Sequence, residues 1–89
     1  MTSIPTEVEV LRAPKERIET KGWWNGGRRT PSEIESTCLA IAIGSADPVI
    51  LGFETYGSIV NWNDAPGRTK EEVLARLDER IAFYEAAEV

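Results

Sequence analysis

The 89-residue sequence contains no histidine and a single cysteine, Cys38. Without histidine, neither a Ser-His-Asp nor a Cys-His catalytic arrangement can form, and one cysteine leaves too few ligands for a zinc site of the usual kind. A lone cysteine forms no internal disulfide, so nothing in the sequence indicates an oxidising compartment. We therefore expect a protein that is not an enzyme and that holds neither a metal ion nor a cofactor.

Long apolar runs and an excess of positive charge are also missing. No stretch approaches the roughly 20 apolar residues that a membrane-spanning helix needs, and the N-terminus lacks the basic and apolar regions of a signal peptide. Ten basic residues stand against 15 acidic ones, and the net charge of −5 disfavours non-specific binding to nucleic acid or to anionic membranes. We expect a cytoplasmic protein with no membrane association and no nucleic-acid partner.

The sequence does contain enough apolar side chains for one small folded domain. Hydrophobic residues make up 42% of the chain and charged residues 28%, proportions that are typical of globular proteins and too apolar for a disordered chain. A chain of this length forms one thin core and not two. Residues 1–89 are thus expected to be a single helical domain, with residues 1–5 as a flexible N-terminus.

Helix-start signals recur along the chain. A threonine followed three residues later by glutamate fits a capping box at Thr6, Thr30 and Thr69, and Asp47 precedes a proline in the same way. After each start, apolar residues recur with the period of a helix, which predicts an all-α bundle of about four helices. The predicted core-facing stripes are Val8, Leu11 and Ile18; Ile34, Cys38, Ile41 and Ala42; Val49, Phe53 and Tyr56; and Val73, Leu77, Ile81 and Tyr84.

Two segments leave another fold open. Residues 7–11 and 38–43 also alternate like strands, and together they would give an α+β fold with a short sheet. Pro14 should kink or break the first helix because it removes a backbone donor. Glycine favours helix ends, so we expect the first helix to end at Gly22 and the third at Gly57.

The last third of the chain carries a distinctive pattern of Trp-Asn-Asp, then Arg-Thr, then a helix that begins Glu-Val-Leu. Over residues 58–78 it resembles the C-terminal signature of a family of small uncharacterised proteins from actinobacteria and their bacteriophages. A looser similarity covers residues 18–44, and residues 44–57 are shorter than in typical members. The resemblance implies a helical domain of actinobacterial or phage origin, and no activity. The signature residues are Trp62, Asn63, Asp64, Arg68, Thr69 and Glu72.

Each part of this signature has a structural role open to it. Thr69 caps the last helix, Asp64 forms an Asx turn, and Trp62 plugs the base of the terminal helix with a large buried ring. Arg68 pairs with Asp64 or with the carbonyl end of a neighbouring helix. The alternative is an exposed cluster of Asn63, Asp64 and Arg68 that binds a partner or a small polar ligand.

The loop after the first helix is the second candidate site. Two adjacent tryptophans, Trp23 and Trp24, do not easily both point inward, and a half-exposed indole beside Arg28 and Arg29 is typical of protein-binding surfaces and of single-stranded nucleic-acid sites. The alternative places Trp23 in the core and Trp24 at its rim.

We therefore expect a non-enzymatic protein-interaction or regulatory protein, encoded by a bacteriophage and acting on a host or phage protein in the host cytoplasm. The partner is expected to be a protein of unknown identity, and a homodimer is open as well. The alternatives are a small nucleic-acid-associated regulatory factor and, below it, an acidic mimic of DNA. A mimic needs rows of carboxylates on one face, whereas acidic and basic residues interleave along the last helix.

Overall fold

A computed structural model of the chain describes residues 6–25, 27, 36–44 and 46–87. Within these ranges lie α1 (Glu7–Lys21), α2 (Leu39–Ile43), a 3₁₀ helix (Pro48–Leu51), α3 (Tyr56–Asn63) and α4 (Lys70–Ala87), and no β-strand. The predicted all-α bundle of about four helices is confirmed. The alternative with a short sheet is wrong, since residues 7–11 and 39–43 are helical. The expectation for residues 1–5 falls outside the described residues.

Helix α1 begins where its capping signal indicates. The Thr6 side chain accepts a hydrogen bond from the backbone N–H of Glu9 at 3.2 Å, and Gly22, with φ at +94°, closes the helix by donating to the Ile18 carbonyl at 2.9 Å. Pro14 does not interrupt the helix, contrary to expectation. Its ring is fully buried, and apolar burial offsets the backbone hydrogen bond that proline cannot donate.

Helix α2 starts later than predicted. Its N-cap is Cys38, whose Sγ accepts from the Ile41 N–H at 3.4 Å. The residue before it, Thr37, is extended and forms an isolated parallel bridge with Trp23. The backbone of Thr37 bonds to Gly22 and to Trp24, both at 3.0 Å. This pairing holds the chain extended up to the cap, so a continuous helix through Cys38 is wrong. The predicted start, Thr30, Pro31 and Ile34, lies outside the described residues.

The late start changes which side chains of α2 face inward. Leu39, Ala42 and Ile43 are buried, whereas Ile41 is 53% exposed. Cys38 is buried, as predicted, but the predicted stripe through Ile41 is wrong. A helix that begins at residue 39 buries residues spaced by three and four from that point, which leaves Ile41 on the outer face.

The segment after Asp47 contains two short helices in place of one. Asp47 accepts from the Val49 N–H at 3.0 Å, but the 3₁₀ helix that follows ends at Gly52, with φ at +83°. A second start at Thr55, whose hydroxyl accepts from Ser58 N–H at 3.1 Å, opens α3. Gly57 lies inside α3, so the predicted helix end there is wrong. The break rotates the inward face, which buries Ile50 and Leu51 and exposes Val49 and Tyr56.

Helix α4 matches its prediction most closely. Val73, Leu77 and Ile81 are buried and Tyr84 packs against them, half-buried. The core lies where α1 packs on α4 and on α2, with α3 against α2 and the 3₁₀ helix against α4. The C-terminus of α3 lies next to the loop at Trp23 and Trp24 and to the start of α2, where the signature residue Asn63 contacts both.

Candidate functional site

The side chain of Asn63, the last residue of α3, lies at the centre of the candidate site. It is fully buried. Its Oδ1 accepts from the Trp23 indole Nε1–H at 2.7 Å and from the Leu39 backbone N–H at 3.1 Å. Its Nδ2 donates to the Trp24 carbonyl at 2.9 Å and to Asp64 Oδ1 at 2.8 Å. An amide side chain has two donor hydrogens and two acceptor lone pairs, so every hydrogen-bonding position of this amide is filled.

These bonds, which we call the Asn63 junction, join three separate parts of the chain. One part is the loop at Trp23 and Trp24, the second is the first turn of α2 at Leu39, and the third is the end of α3. Buried polar groups are stable when they are fully hydrogen-bonded and costly when they are not. The junction therefore fixes how α2, α3 and the loop meet, and it leaves no open position on the amide for a ligand.

Arg68 lies over the outer side of this region. Its Nε donates to the Trp62 carbonyl at 2.8 Å, its Nη1 pairs with Glu72 Oε2 at 2.9 Å, and its guanidinium carbon is 4.0 Å from the centre of the Trp62 ring. The carboxylate partner of Arg68 is thus Glu72 and not Asp64, whose Oδ1 accepts from Asn63. The hydrogen bond from Arg68 Nε to the Trp62 carbonyl, near the end of α3, corresponds to the second partner that the sequence allowed for Arg68, the carbonyl end of a neighbouring helix.

The capping box at the start of α4 has the predicted reciprocal form. The Thr69 hydroxyl accepts from the Glu72 backbone N–H at 3.2 Å, and Glu72 Oε1 accepts from the Thr69 backbone N–H at 3.1 Å. Glu72 therefore serves both the cap and Arg68.

Arg76 and Arg80 on α4 form a second set of contacts that sequence reasoning missed. Arg76 Nε donates to the Leu51 carbonyl at 3.2 Å, and Arg80 Nε donates to the Ile50 carbonyl at 3.1 Å. Both carbonyls belong to the end of the 3₁₀ helix, where they lack a helical partner. We call this pair of contacts the arginine junction. The only sequence signal for it is the spacing of four residues, which places both arginines on one side of α4.

Aromatic rings pack around the same arginines. Phe53 and Trp62 are both half-buried, with ring centres 5.9 Å apart, and the Arg76 guanidinium lies 4.7 Å from the Phe53 centre. Arg80 lies 4.6 Å from the centre of Phe83. Trp62 therefore lies between Phe53 and the guanidinium groups of Arg68 and Arg76 at the edge of the core, half-buried and not fully buried as the predicted plug would be.

The tryptophan loop is described only in part. Trp23 is half-buried, packs on the core and gives its indole hydrogen to Asn63. Trp24 is half-buried, and its indole Nε1–H donates to the Gly27 carbonyl. Arg28 and Arg29 lie outside the described residues, so only the two tryptophans of the predicted binding surface are described. The proposed partner-binding role of these four residues stays a prediction.

A groove lies beside the arginine junction, with which it shares Ile50, between the first turn of α1, the 3₁₀ helix and the end of α4. Its volume is 360 Å³, and its lining is mainly apolar. Val49 stands at its edge and is 58% exposed. We call it the α1/α4 groove; its apolar lining is Val10, Ala46, Val49, Ile50 and Tyr84, and its carboxylates are Glu7 and Asp47.

The described residues limit the chemistry that these surfaces can support. In that part of the chain, no three histidine, cysteine or acidic side chains lie close enough together to hold a metal ion. Among the described helices, none is both long and apolar enough to cross a membrane. The pKa of Lys15, on α1, is raised above its usual value of 10.5, chiefly by its hydrogen bond with Asp78 on α4, and this pair belongs to helix packing and not to either junction.

The fold and the two junctions define a small all-α domain whose distinctive polar residues hold its helices together. Residues 46–83 match the model of a family of unknown function (DUF6197). The matched segment contains the 3₁₀ helix, α3 and most of α4, and therefore Asn63 and the arginine junction. This match supports the predicted uncharacterised domain, while the signature of residues 58–78 and its actinobacterial or phage origin stay predictions. No curated protein and no solved structure matches the chain.

Proposed function

We propose that this protein is a non-enzymatic interaction protein that binds another protein through apolar surface. The observation that carries the proposal is the set of large apolar side chains left between 39% and 58% exposed on so small a domain. Aromatic and aliphatic side chains that remain accessible are the usual anchors of protein interfaces. The exposed residues are Ile41, Val49, Tyr56, Val60 and Phe83.

The distribution of polar groups supports the same proposal. The polar groups of the signature are engaged within the chain: the Asn63 amide has four partners, and Arg68 contacts Glu72 and the Trp62 carbonyl. Arg76 and Arg80 are bonded to backbone carbonyls and stacked on rings. Arginines held in this way are poorly placed to bind phosphates, and the net charge of −5 opposes binding to nucleic acid.

The proposal extends to the setting in which the protein acts. The resemblance of residues 58–78 to small proteins of actinobacteria and their phages supports a bacteriophage-encoded protein that acts in the host cytoplasm on a host or phage protein. The chemistry supports a role without catalysis, because the sequence lacks histidine and the Asn63 amide is fully bonded within the fold.

Site-specific photo-crosslinking tests the proposal. A photoreactive phenylalanine analogue would replace Val49, Val60 or Phe83, and the control would carry it at Glu79, an exposed residue on α4. In an actinobacterial lysate, with and without phage infection, we expect at least one apolar position to crosslink a defined protein that excess unlabelled protein displaces and that the Glu79 control does not capture. Identical products from all positions, or none above the control, would contradict the proposal.

A further inference from the structure

The α1/α4 groove has a distribution of charge that narrows what can bind in it. Among the described residues, its apolar lining includes Val10, Ala46, Ile50 and Tyr84, and its charged lining is formed by the carboxylates of Glu7 and Asp47, which are exposed and so form its rim. A groove that is apolar inside and acidic at its rim complements an apolar side chain flanked by positive charge.

Arg80 is a described cation that contacts the lining of the groove, but it does not pair with the carboxylates of the rim. Arg80 contacts two lining residues, since its Nε donates to the Ile50 carbonyl at 3.1 Å and its Nη2 lies 3.5 Å from the Tyr84 hydroxyl. Its guanidinium also lies 4.6 Å from the centre of the Phe83 ring. Among the described residues no salt bridge involves Glu7 or Asp47, and Asp47 Oδ1 accepts only the uncharged Val49 N–H among the described hydrogen bonds, so no described cation neutralises either carboxylate.

The groove is also the right size for a side-chain anchor. Small-molecule pockets are typically about 300–1,000 Å³, and 360 Å³ lies at the lower end, which suits one or two aliphatic side chains. Exposed apolar residues extend the surface on either side: Val49 at the edge of the groove, and Phe83, whose ring centre is 5.1 Å from that of Tyr84. Together they provide the apolar margin that an anchored segment would cover.

We propose that the α1/α4 groove binds a basic amphipathic segment of the partner protein. One or two aliphatic side chains of that segment enter the groove, and its lysines or arginines lie against Glu7 and Asp47. This inference rests on the proposed interaction function and adds to it the binding surface and the chemistry of the ligand.

A synthetic peptide pair tests the ligand chemistry. The first peptide has leucines one helical turn apart and is otherwise alanine and lysine, and in the second, glutamate replaces each lysine. Titrated into ¹⁵N-labelled full-length protein, the lysine peptide should shift the amide signals of Val10, Val49 and Ile50 saturably, while the glutamate peptide should not. Absence of saturable shifts at up to about 1 mM lysine peptide, or equal shifts with both peptides, would overturn the inference.

Two double variants separate rim charge from overall charge. Glu7→Gln with Asp47→Asn neutralises the rim, and the amide oxygen of asparagine retains the cap on Val49. The matched control, Glu16→Gln with Glu79→Gln, removes the same net charge at exposed positions outside the groove. We expect the rim variant to weaken lysine-peptide binding about fivefold to tenfold and the control by less than about twofold. Equal weakening by both would overturn the assignment to the groove.

The two proposals fail in different ways. If photo-crosslinking captures a partner but neither peptide binds the groove, the interaction function stands and the ligand chemistry is wrong. If no position captures a partner above the Glu79 control, the interaction function itself is contradicted, whatever the peptides do.

Discussion

The Asn63 junction and the arginine junction both connect elements of the fold through hydrogen bonds from side chains to backbone groups, but their side chains differ in burial. Each junction supplies hydrogen-bonding partners to backbone groups: the Leu39 N–H at the start of α2 and the Trp24 carbonyl of the loop in one, and the Ile50 and Leu51 carbonyls of the 3₁₀ helix in the other. The Asn63 side chain is fully buried, whereas Arg76 and Arg80 are half-buried on the outer side of α4.

The difference in burial decides how each junction responds to change. At the Asn63 junction no water can replace a lost partner, so each broken bond leaves a buried polar group unpaired. At the arginine junction the accepting carbonyls belong to the buried residues Ile50 and Leu51, but the arginines themselves are half-buried and also pack on aromatic rings, so a substitution removes only part of their contacts. A buried amide is therefore a point on which the fold depends, while the arginines contribute through several smaller contacts.

Asn63→Asp should have the largest effect. The carboxylate cannot donate to the Trp24 carbonyl, and it places a second negative charge beside Asp64 in a buried site. We expect a loss of about 3–5 kcal/mol in the free energy of unfolding, measured by urea denaturation. Asn61→Asp is the matched control, the same chemical change on an exposed residue of α3, and should cost less than about 0.5 kcal/mol. Similar losses from both variants would contradict the role of the junction.

The Asn63→Asp variant should also acquire a pH dependence. Burial and the neighbouring Asp64 carboxylate raise the pKa of the introduced carboxyl in the folded state. A raised pKa means that the folded state holds the proton more tightly than the unfolded state, so the variant should regain stability as the pH falls through that pKa. Parallel pH profiles for the variant and the parent protein would show that the new carboxyl is not buried.

Trp23→Phe should have the next largest effect, because it removes the indole N–H that donates to Asn63 Oδ1. Asn63 Oδ1 still accepts from the Leu39 N–H, so we expect the free energy of unfolding to fall by about 1–2 kcal/mol. In the comparison variant, Trp24→Phe, the lost bond goes to the Gly27 carbonyl at an exposed position, and the loss should be under about 1 kcal/mol. Thermal unfolding of the two variants measures the difference, and a larger loss from Trp24→Phe would reverse the assignment.

Arg76→Met tests the arginine junction. Methionine keeps part of the apolar stem over Phe53 but gives up the bond to the Leu51 carbonyl, for an expected loss of about 1 kcal/mol. Arg12→Met serves as control, since Arg12 is exposed and its partner Glu85 is 3.9 Å away; it should cost less than about 0.5 kcal/mol. A loss from Arg76→Met as large as that from Asn63→Asp would remove the distinction between the junctions.

The smallest effect should come from the pair of Lys15 and Asp78, joined at 2.6 Å between α1 and α4. The bond raises the pKa of Lys15 above 10.5, so the folded state binds the proton more tightly. Its contribution, below about 1 kcal/mol for an exposed pair, is present below pH 10.5 and is lost as the pH rises through the folded-state pKa. The stability gap between the parent and Lys15→Met should therefore narrow as the pH rises above 10.5.

Local sequence patterns predicted those features that depend on neighbouring residues. The caps at Thr6, Asp47 and Thr69 and the stripe on α4 each involve residues a few positions apart, and the structure has them where the spacing indicates. The contacts of Asn63 span 24, 39 and 40 residues, and no local pattern encodes them. The family match is to a family of unknown function, so the partner stays a proposal.

Contacts between residues that are far apart in the sequence also explain the errors at α2 and at Pro14. The pairing of Thr37 with the loop at Trp23 determines where α2 begins, and this pairing outweighs the helical spacing that placed Ile41 inside. The burial of Pro14 likewise depends on the helices packed around it. Helix propensity is a weak guide where tertiary contacts of this kind compete with it.

The Leu39 backbone N–H is held by a side chain and not by a helical carbonyl, and this has a consequence for hydrogen exchange. Amides near helix ends usually exchange when the end frays, at little cost in free energy. This amide is released only when α3 separates from α2, because its acceptor, Asn63 Oδ1, belongs to α3. Exchange at that one position thus reports the opening of the contact between two helices, and the Trp23 indole hydrogen on the same oxygen should exchange with it as one cooperative unit.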